Sequence, residues 1–344
     1  MSLLPRQVED LTSDWLSQAL GVPVTTVTVT EVIWGTATKV RLSVTYEDGS
    51  SLAPRAICVK GALGDRFAGD LGDQSAYALE ARFYSELAPK LSCGLPLSLF
   101  ASVDERGQGI VILPDLALAG GRFGDPCFPF DVDQAAQALE MQAHWHAAMW
   151  ANPAHALDAL PQFSASRGAG VLLLSAPAWD AHFALGTSPV LPAALQDRQR
   201  VADSFRSLWE FEDRDVKTLV HGDAHVGNTY IDRDGRVSFL DWQGVCAGAL
   251  SLDVAYFIVG SLTVGDRQAN ERSLLAHYRT ALGAGGGPDL DADDQWLAFR
   301  RHCLHGLLWA VTPSWMQTVE RCQAMTERYV AAIEDHDSLD LLLS

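Results

Sequence analysis

The chain has 344 residues, 48% hydrophobic and 20% charged, with 28 glycines and 15 prolines. That composition excludes a disordered chain, a collagen and a small disulfide-stapled module, and leaves room for about two domains. Twenty-five Lys and Arg against 43 Asp and Glu give a net charge of −18, and an acidic surface repels phosphate backbones and anionic lipid, so neither nucleic acid nor a membrane is an expected partner.

Residues 5–20 read as a short helix, with Leu11, Trp15 and Leu16 at helical spacing and Gly21 and Pro23 ending it. The period then changes. Val24, Val27, Val29, Val32 and Ile33, then Val40, Leu42, Val44 and Tyr46, then residues 56–59 after an Asp48-Gly49 turn, predict three antiparallel strands. Residues 74–91 predict a helix, with Pro89 at its end, and residues 97–103 and 109–113 predict two more strands. Residues 1–113 therefore form an N-terminal lobe with a five-stranded antiparallel sheet and one inserted helix. Residues 114–130, rich in Gly and Pro, read as a hinge or linker, in which Gly120, Gly121 and Gly124 would permit movement. Residues 131–344 read as a mostly helical lobe, with long helices at 131–150 and 195–211 and more from 251 onward, interrupted at 283–288 and 312–313. Residues 218–241 are the exception, a hairpin-like insertion. The six cysteines (58, 93, 127, 246, 303 and 322) lack C-x-x-C spacing, which suits reduced thiols in a cytoplasm. Residues 1–10 lack the apolar run of a signal peptide. The most apolar stretch, 249–264, carries Asp253 and falls short of a membrane span.

The chemistry concentrates in that insertion. An apolar strand leads into His221-Gly222-Asp223, Asn228 follows five residues on, and a second apolar strand ends at Asp241-Trp242-Gln243. Phosphoryl transfer uses such a set: one carboxylate to orient the attacking hydroxyl and take its proton, and an amide with a second carboxylate to hold Mg²⁺ on the phosphates. The pattern H-G-D-x-x-x-x-N followed by D-W-Q resembles the aminoglycoside phosphotransferase and choline kinase superfamily, and more narrowly its ecdysteroid-kinase-like branch and bacterial relatives. Further matches run in order: Lys60 at the end of the third strand, Glu80 in the helix, 112–116 at the hinge, His144-Trp145-His146-Ala147 on the first long helix, and Leu252-Asp253-Val254-Ala255-Tyr256-Phe257 after the second carboxylate.

The resemblance implies a two-lobed, protein-kinase-like α+β fold and an ATP- and Mg²⁺-dependent transfer of phosphate to a hydroxyl of a small molecule. It implies Asp223 as the catalytic base and Asn228 and Asp241 as metal ligands. It also implies Lys60, held by Glu80, on the α/β-phosphates, and backbone near Leu113, Asp115 and Leu116 against adenine. The loop 34–39 has one glycine rather than G-x-G-x-x-G; Gly35, Thr36 and Thr38 would meet the phosphates there. His221, His146 and Asp253 read as braces of the catalytic turn, and Trp242 as packing behind the metal-binding carboxylate.

Two other readings stand beside this one. His221-x-Asp223-x-His225, with His144 and His146 upstream, also has metal-ligand spacing and would make a metal-dependent hydrolase. A catalytically inactive kinase fold would be a binding module. For the acceptor, Trp296, Trp309 and Trp315 would wall a pocket for a hydrophobic alcohol, while Asp291, Asp293 and Asp294 would suit a cation. A steroid- or lipid-like alcohol, a hydroxyacyl thioester, an aminoglycoside and an amino alcohol all remain open.

Overall fold

The computed structural model describes residues 3–47, 53–64, 74–91, 94–150 and 157–344; the Asp48-Gly49 turn and Cys93 lie outside them. The chain divides into two compact units. Unit 1 comprises residues 1–122 and 230–243, and unit 2 residues 123–229 and 244–344. The boundary expected after residue 113 thus falls after residue 122. The expected helical lobe also gives up residues 230–243, because the strands of the 218–241 insertion do not all pack with the helices around them.

Unit 1 begins with α1 (Ser13–Leu20), whose first turn is capped by Thr12 accepting the Trp15 amide, and which ends at left-handed Gly21. Its sheet contains β1 (Val24–Trp34), β2 (Thr38–Tyr46), β3 (Ala56–Gly61), β4 (Phe100–Val103) and β5 (Gly109–Pro114), in the spatial order β1-β2-β3-β5-β4 with every pair antiparallel. Strand alternation sorts the two faces. Val40, Leu42, Val44, Ile57, Val59, Ile110 and Ile112 point into one core with Leu11 and Leu16 of the first helix. Lys39, Arg41, Cys58 and Lys60 take the intervening positions, with Lys39 opposite Lys60 in the ladder. The expected helix 74–91 is three pieces: α2 (Gln74–Arg82), one π-turn (Phe83–Leu87) and one 3₁₀ turn (Ala88–Lys90). Pro89 has no amide to donate and sits in that last, tightened turn.

Strand β6 (Arg122–Phe123) straddles the boundary between the units, and unit 2's first segment then holds α3 (Val132–Trp150), α4 (Ala165–Leu173), α5 (Ala176–Ala184), α6 (Ala193–Gln196), α7 (Arg198–Arg214) and β7 (Lys217–Val220). The segment 230–243, counted with unit 1, holds most of β8 (Thr229–Ile231) and all of β9 (Val237–Phe239), and these two with β6 make a three-stranded sheet in the order β6-β8-β9. Unit 2 resumes at residue 244. Then follow β10 (Cys246–Ala249), α8 (Leu250–Ser261), α9 (Val264–Ala284), α10 (Ala292–His302), α11 (Val319–Asp335) and α12 (Ser338–Leu343). Every residue of α8 is buried, as its apolar circumference requires. Among the described residues no helix is long and apolar enough to cross a membrane. At Gly121 a Cβ would press on the Leu116 carbonyl, and at Gly124 it would collide with the Val226 carbonyl. They are glycines because backbone passes close by.

One buried acid in unit 2 makes stability pH-dependent. Glu212 of α7 faces His302 of α10 at 3.6 Å, and His302 Nδ1 lies 2.7 Å from the Ala298 carbonyl, an acceptor only. Nδ1 therefore donates, and Nε2 turns a lone pair toward the carboxyl. Burial pushes the Glu212 pKa up to about 7. The folded protein holds this proton at pH values where the unfolded chain has released it, so the contribution is full below the unfolded value near 4.3 and is lost as pH rises through about 7. Glu212→Gln is expected to remove about 2–3 kcal/mol of the fall in unfolding free energy between pH 5 and pH 8. Urea titrations of both proteins at the two pH values measure this, and equal slopes would refute it.

Candidate active site

The chemistry of unit 1 centres on Lys60. Strand alternation places it on the face away from the core, and its Nζ lies 2.7 Å from Glu80 of α2 and 2.8 Å from Asp241. Lys39, across the ladder, approaches the other oxygen of Asp241 at 4.0 Å. Burial alone would lower the pKa of Lys60, but Asp241 and Glu80 outweigh it and hold the pKa above its ordinary value, so the side chain is a fixed cation.

Asp241 has a φ of +63°, left-handed backbone that non-glycine residues seldom adopt. Such strain costs on the order of 1–3 kcal/mol and persists only where the surroundings over-determine it. Trp242, fully buried, supplies the constraint by stacking on Phe83 with centroids 3.8 Å apart. Phe83 belongs to the π-turn that directly follows Glu80's helix. One helix therefore positions both the carboxylate on Lys60 and the ring that clamps Asp241.

In unit 2, β7 delivers His221, Gly222 and Asp223. Gly222 is left-handed (φ +76°), and a Cβ there would collide with the Gly244 carbonyl; β10 pairs antiparallel with β7, Cys246 opposite Val220, and brings that carbonyl close. Asp253, fully buried on α8, accepts the amides of His221 at 2.6 Å and Gly222 at 3.0 Å, and lies 3.3 Å from His146 Nε2. His146 Nδ1 meets the Tyr278 hydroxyl at 2.8 Å. Burial would raise the Asp253 pKa, but the hydrogen bond from His146 and the neighbouring His221 lower it overall, so the turn is built around an anion.

The Asp223 side chain remains 46% exposed. Asn228 donates its Nδ2 to the Asp223 carbonyl (2.9 Å) and carboxylate (3.1 Å). The 3₁₀ turn carrying Asn228 is capped by His225, whose Nδ1 accepts the Gly227 amide at 3.0 Å. The result is an accessible carboxylate held by an amide, suited to orienting a hydroxyl and accepting its proton. It also engages the nitrogen of Asn228, so its carbonyl oxygen is the atom that can be offered to a cation.

Several expected residues take other places. Thr38 is fully buried and donates its hydroxyl to the Leu63 carbonyl at 2.6 Å, so that hydroxyl's hydrogen is already engaged. Thr36 is exposed and its carbonyl accepts the Tyr77 hydroxyl, while the Gly35 amide donates to Ala37. Asp115 is committed inside unit 1. Its carboxylate takes Arg41 at 2.7 and 2.9 Å, and its amide donates to Ala56, so its side chain braces the sheet. Leu113 pairs with Cys58, and the Leu116 carbonyl accepts the Gly121 amide.

Asp291 caps α10 by accepting the amides of Asp293 and Asp294, so this acidic run is a helix start and not a cage. Trp296 stacks on Phe299 beneath Arg272, and Trp315 is exposed. Of the three tryptophans, Trp309 reaches the turn that carries Asp223 and Asn228, edge-on to His225 at 5.1 Å. The metal-hydrolase set does not gather: His144 is exposed, His146 on the same helix is buried, and His225 caps its own turn. Among the described residues no group of three or more His, Cys, Asp or Glu could hold a metal ion. Lys39 and Phe83 were not singled out from sequence. Lys39 was readable as the cross-strand neighbour of Lys60, whereas Phe83 carried no signal beyond core packing.

The ecdysteroid kinase-like family model matches residues 186–284, under a third of the chain. No curated protein sequence matches. Among solved structures, APH(2″)-IIIa in complex with GDP and kanamycin aligns with a TM-score of 0.53 at 14% identity, covering 91% of this chain and 96% of its own. Spectinomycin phosphotransferase APH(9)-Ia, in complex with ADP and spectinomycin, aligns with a TM-score of 0.52 at 12% identity, covering 98% of this chain and all of its own. At these identities the likeness is one of fold. The chain has the two-lobed, kinase-like α+β fold of these structures, with an ecdysteroid kinase-like segment at residues 186–284 that contains the His221–Asp241 motifs.

Proposed function

We propose that the protein is a small-molecule kinase that transfers the γ-phosphoryl group of ATP to a hydroxyl of its acceptor, in a reaction that requires Mg²⁺. The observation carrying this reading is the fixed Lys60 cation between Glu80 and a strained Asp241, in a chain whose Asp223 is accessible and held by Asn228. The resident groups suit the ion. Asp241 of unit 1 offers a carboxylate and Asn228 of unit 2 an amide oxygen, each by itself the type of oxygen ligand a hard divalent cation takes. Bound there, Mg²⁺ would neutralise charge on the phosphates.

The remaining work falls to side chains. Lys60, kept charged by two carboxylates, would bind the α/β-phosphates. Glu80 would hold Lys60 extended when Asp241 gives up its contact with Lys60 to hold the cation. Asp223 would orient the acceptor hydroxyl and take its proton as the oxygen attacks in line. The kanamycin and spectinomycin of the two structural relatives are consistent with a small hydroxylated acceptor, and no activation segment of the protein-kinase kind follows Asp241.

Thermal unfolding with and without ATP and Mg²⁺ tests this. Binding to the native state adds RT ln(1 + [L]/Kd), about 2.7 kcal/mol at a hundredfold excess. A Mg²⁺-dependent gain in the wild type, lost in Asp241→Ala, is the expected result. The absence of any gain with either ATP or GTP would overturn the proposal. A positive result leads to an acceptor screen by ATP consumption.

A further inference from the structure

Two donors in the turn between β1 and β2 are spent inside the protein. The Thr38 hydroxyl donates to the Leu63 carbonyl, and the Gly35 amide donates to the Ala37 carbonyl. The residue that follows Thr38 is a cation, Lys39, and it stands directly opposite Lys60 in the β2–β3 ladder. Directly opposed residues share one face of a sheet, and like charges in such a pair destabilise it.

One carboxylate is shared between the two cations. Asp241 reaches Lys60 with Oδ1 at 2.8 Å and Lys39 with Oδ2 at 4.0 Å. Lys60 has a second acid, Glu80, at 2.7 Å, whereas Asp241 is the one ion-pair partner of Lys39 among the described residues. All four groups belong to unit 1. The lysines also differ in exposure, the Lys60 side chain at 12% and that of Lys39 at 44%. An exposed pair 4.0 Å apart is worth little, so Lys39 can exchange its acid for a stronger partner at small cost. Lys60, pinned from two sides, cannot.

We propose that Lys39 is a second phosphate-binding cation, which exchanges Asp241 for the phosphate chain of a nucleoside triphosphate when that carboxylate turns to its metal ion. The identity of the ligand rests on the kinase reading; the opposed lysines do not. Two ammonium groups carried by residues about 5 Å apart at Cα can meet neighbouring phosphates of one chain. Each is a compact point charge with three donors on a flexible stem. A single phosphate needs one of them, and a polyphosphate engages both.

The test measures binding by calorimetry to the full chain, as wild type, Lys39→Met and Lys39→Arg. Methionine keeps the stem without the charge, and equal melting temperatures without ligand verify the fold. The probes are Mg²⁺-ATP, AMP and Mg²⁺-tripolyphosphate. Lys39→Met is expected to weaken Mg²⁺-ATP and Mg²⁺-tripolyphosphate about tenfold, the scale of one charge-assisted contact, with AMP within about twofold of wild type. Lys39→Arg should recover most of the loss, because it restores the charge.

Mg²⁺-ATP affinity in Lys39→Met within about twofold of wild type would overturn the proposal and leave the kinase reading standing. An equal loss for AMP would also overturn it, because the lysine would then not be reading the length of the phosphate chain. If the wild type binds tripolyphosphate through Lys39 but no nucleotide, the cation pair stands and the kinase reading falls. If it binds neither, both fall.

Discussion

Replacing Asp223 with alanine is expected to lower turnover by at least about a thousandfold while the fold and the nucleotide-dependent gain in stability survive. A positioned general base contributes about 10²–10⁴ in rate, and in the proposed mechanism Asp223 would also orient the attacking oxygen. The fold should tolerate the change because the side chain is half exposed and the loop does not hang on it. Asn228 still has the Asp223 backbone carbonyl, 2.9 Å away, which alanine retains. Nucleotide binding should persist because Lys60, Glu80 and Asp241 form their own cluster in unit 1. Steady-state turnover together with thermal shifts in Mg²⁺-ATP measures both halves. Near-normal turnover in Asp223→Ala would remove the proposed mechanism, and loss of the nucleotide shift would mean that the residue does more than handle the acceptor.

Asp253→Ala is expected to cost more stability than any other single change discussed, about 3–5 kcal/mol, the range for breaking a buried charged network by removing one partner. Two backbone amides and His146 Nε2 point at this carboxylate inside a fully buried helix, and alanine would leave them facing a void. Asp253→Asn should recover part of the loss, since one amide oxygen still accepts. The pH dependence has a definite sign. The folded-state pKa of Asp253 is lowered, so its contribution is present above the unfolded value near 3.9 and is lost as pH falls through the lower folded one. The wild type should therefore lose stability in acid over a range where Asp253→Ala has less to lose. Urea denaturation at pH 7 and at low pH checks the magnitude and the sign. A loss below about 1 kcal/mol at pH 7 would show that the turn does not depend on this anion.

Much of the architecture is visible in local pattern. The five strands of the first lobe alternate β-branched and polar residues over separate runs, and alternation of period two assigns one face of each to the core. The strand order, with β5 between β3 and β4, is not written in that pattern. β10 escaped because Cys246-Ala247-Gly248-Ala249 has neither β-branched bulk nor alternation; it is a strand because β7 lies alongside it. The helix 74–91 was readable as helical, but its π-turn at Phe83 exists where the ring reaches Trp242, a contact across more than 150 residues of sequence that no local period encodes.

The same division runs through the site. Local sequence determines which groups are chemically able to act: Asp223 and Asn228 five residues apart, Asp241 after an apolar strand, Lys60 at the end of another. It also fixes where backbone must be glycine, as at Gly222, since left-handed φ is a property of one residue. Only the tertiary structure decides which of these groups are engaged elsewhere. Thr38 and Asp115 have suitable chemistry, yet one hydroxyl is spent on Leu63 and one carboxylate on Arg41. The acidic run at 291–294 looks like a cation site and is a helix cap. Conversely, Tyr256 and Trp309 look like core aromatics, and the structure spends the Trp309 indole N–H on the Tyr256 hydroxyl. The physical reason is that a hydrogen bond has direction and a side chain has few donors to give. Composition and spacing count those donors, while their direction depends on neighbours that the chain brings in from tens of residues away.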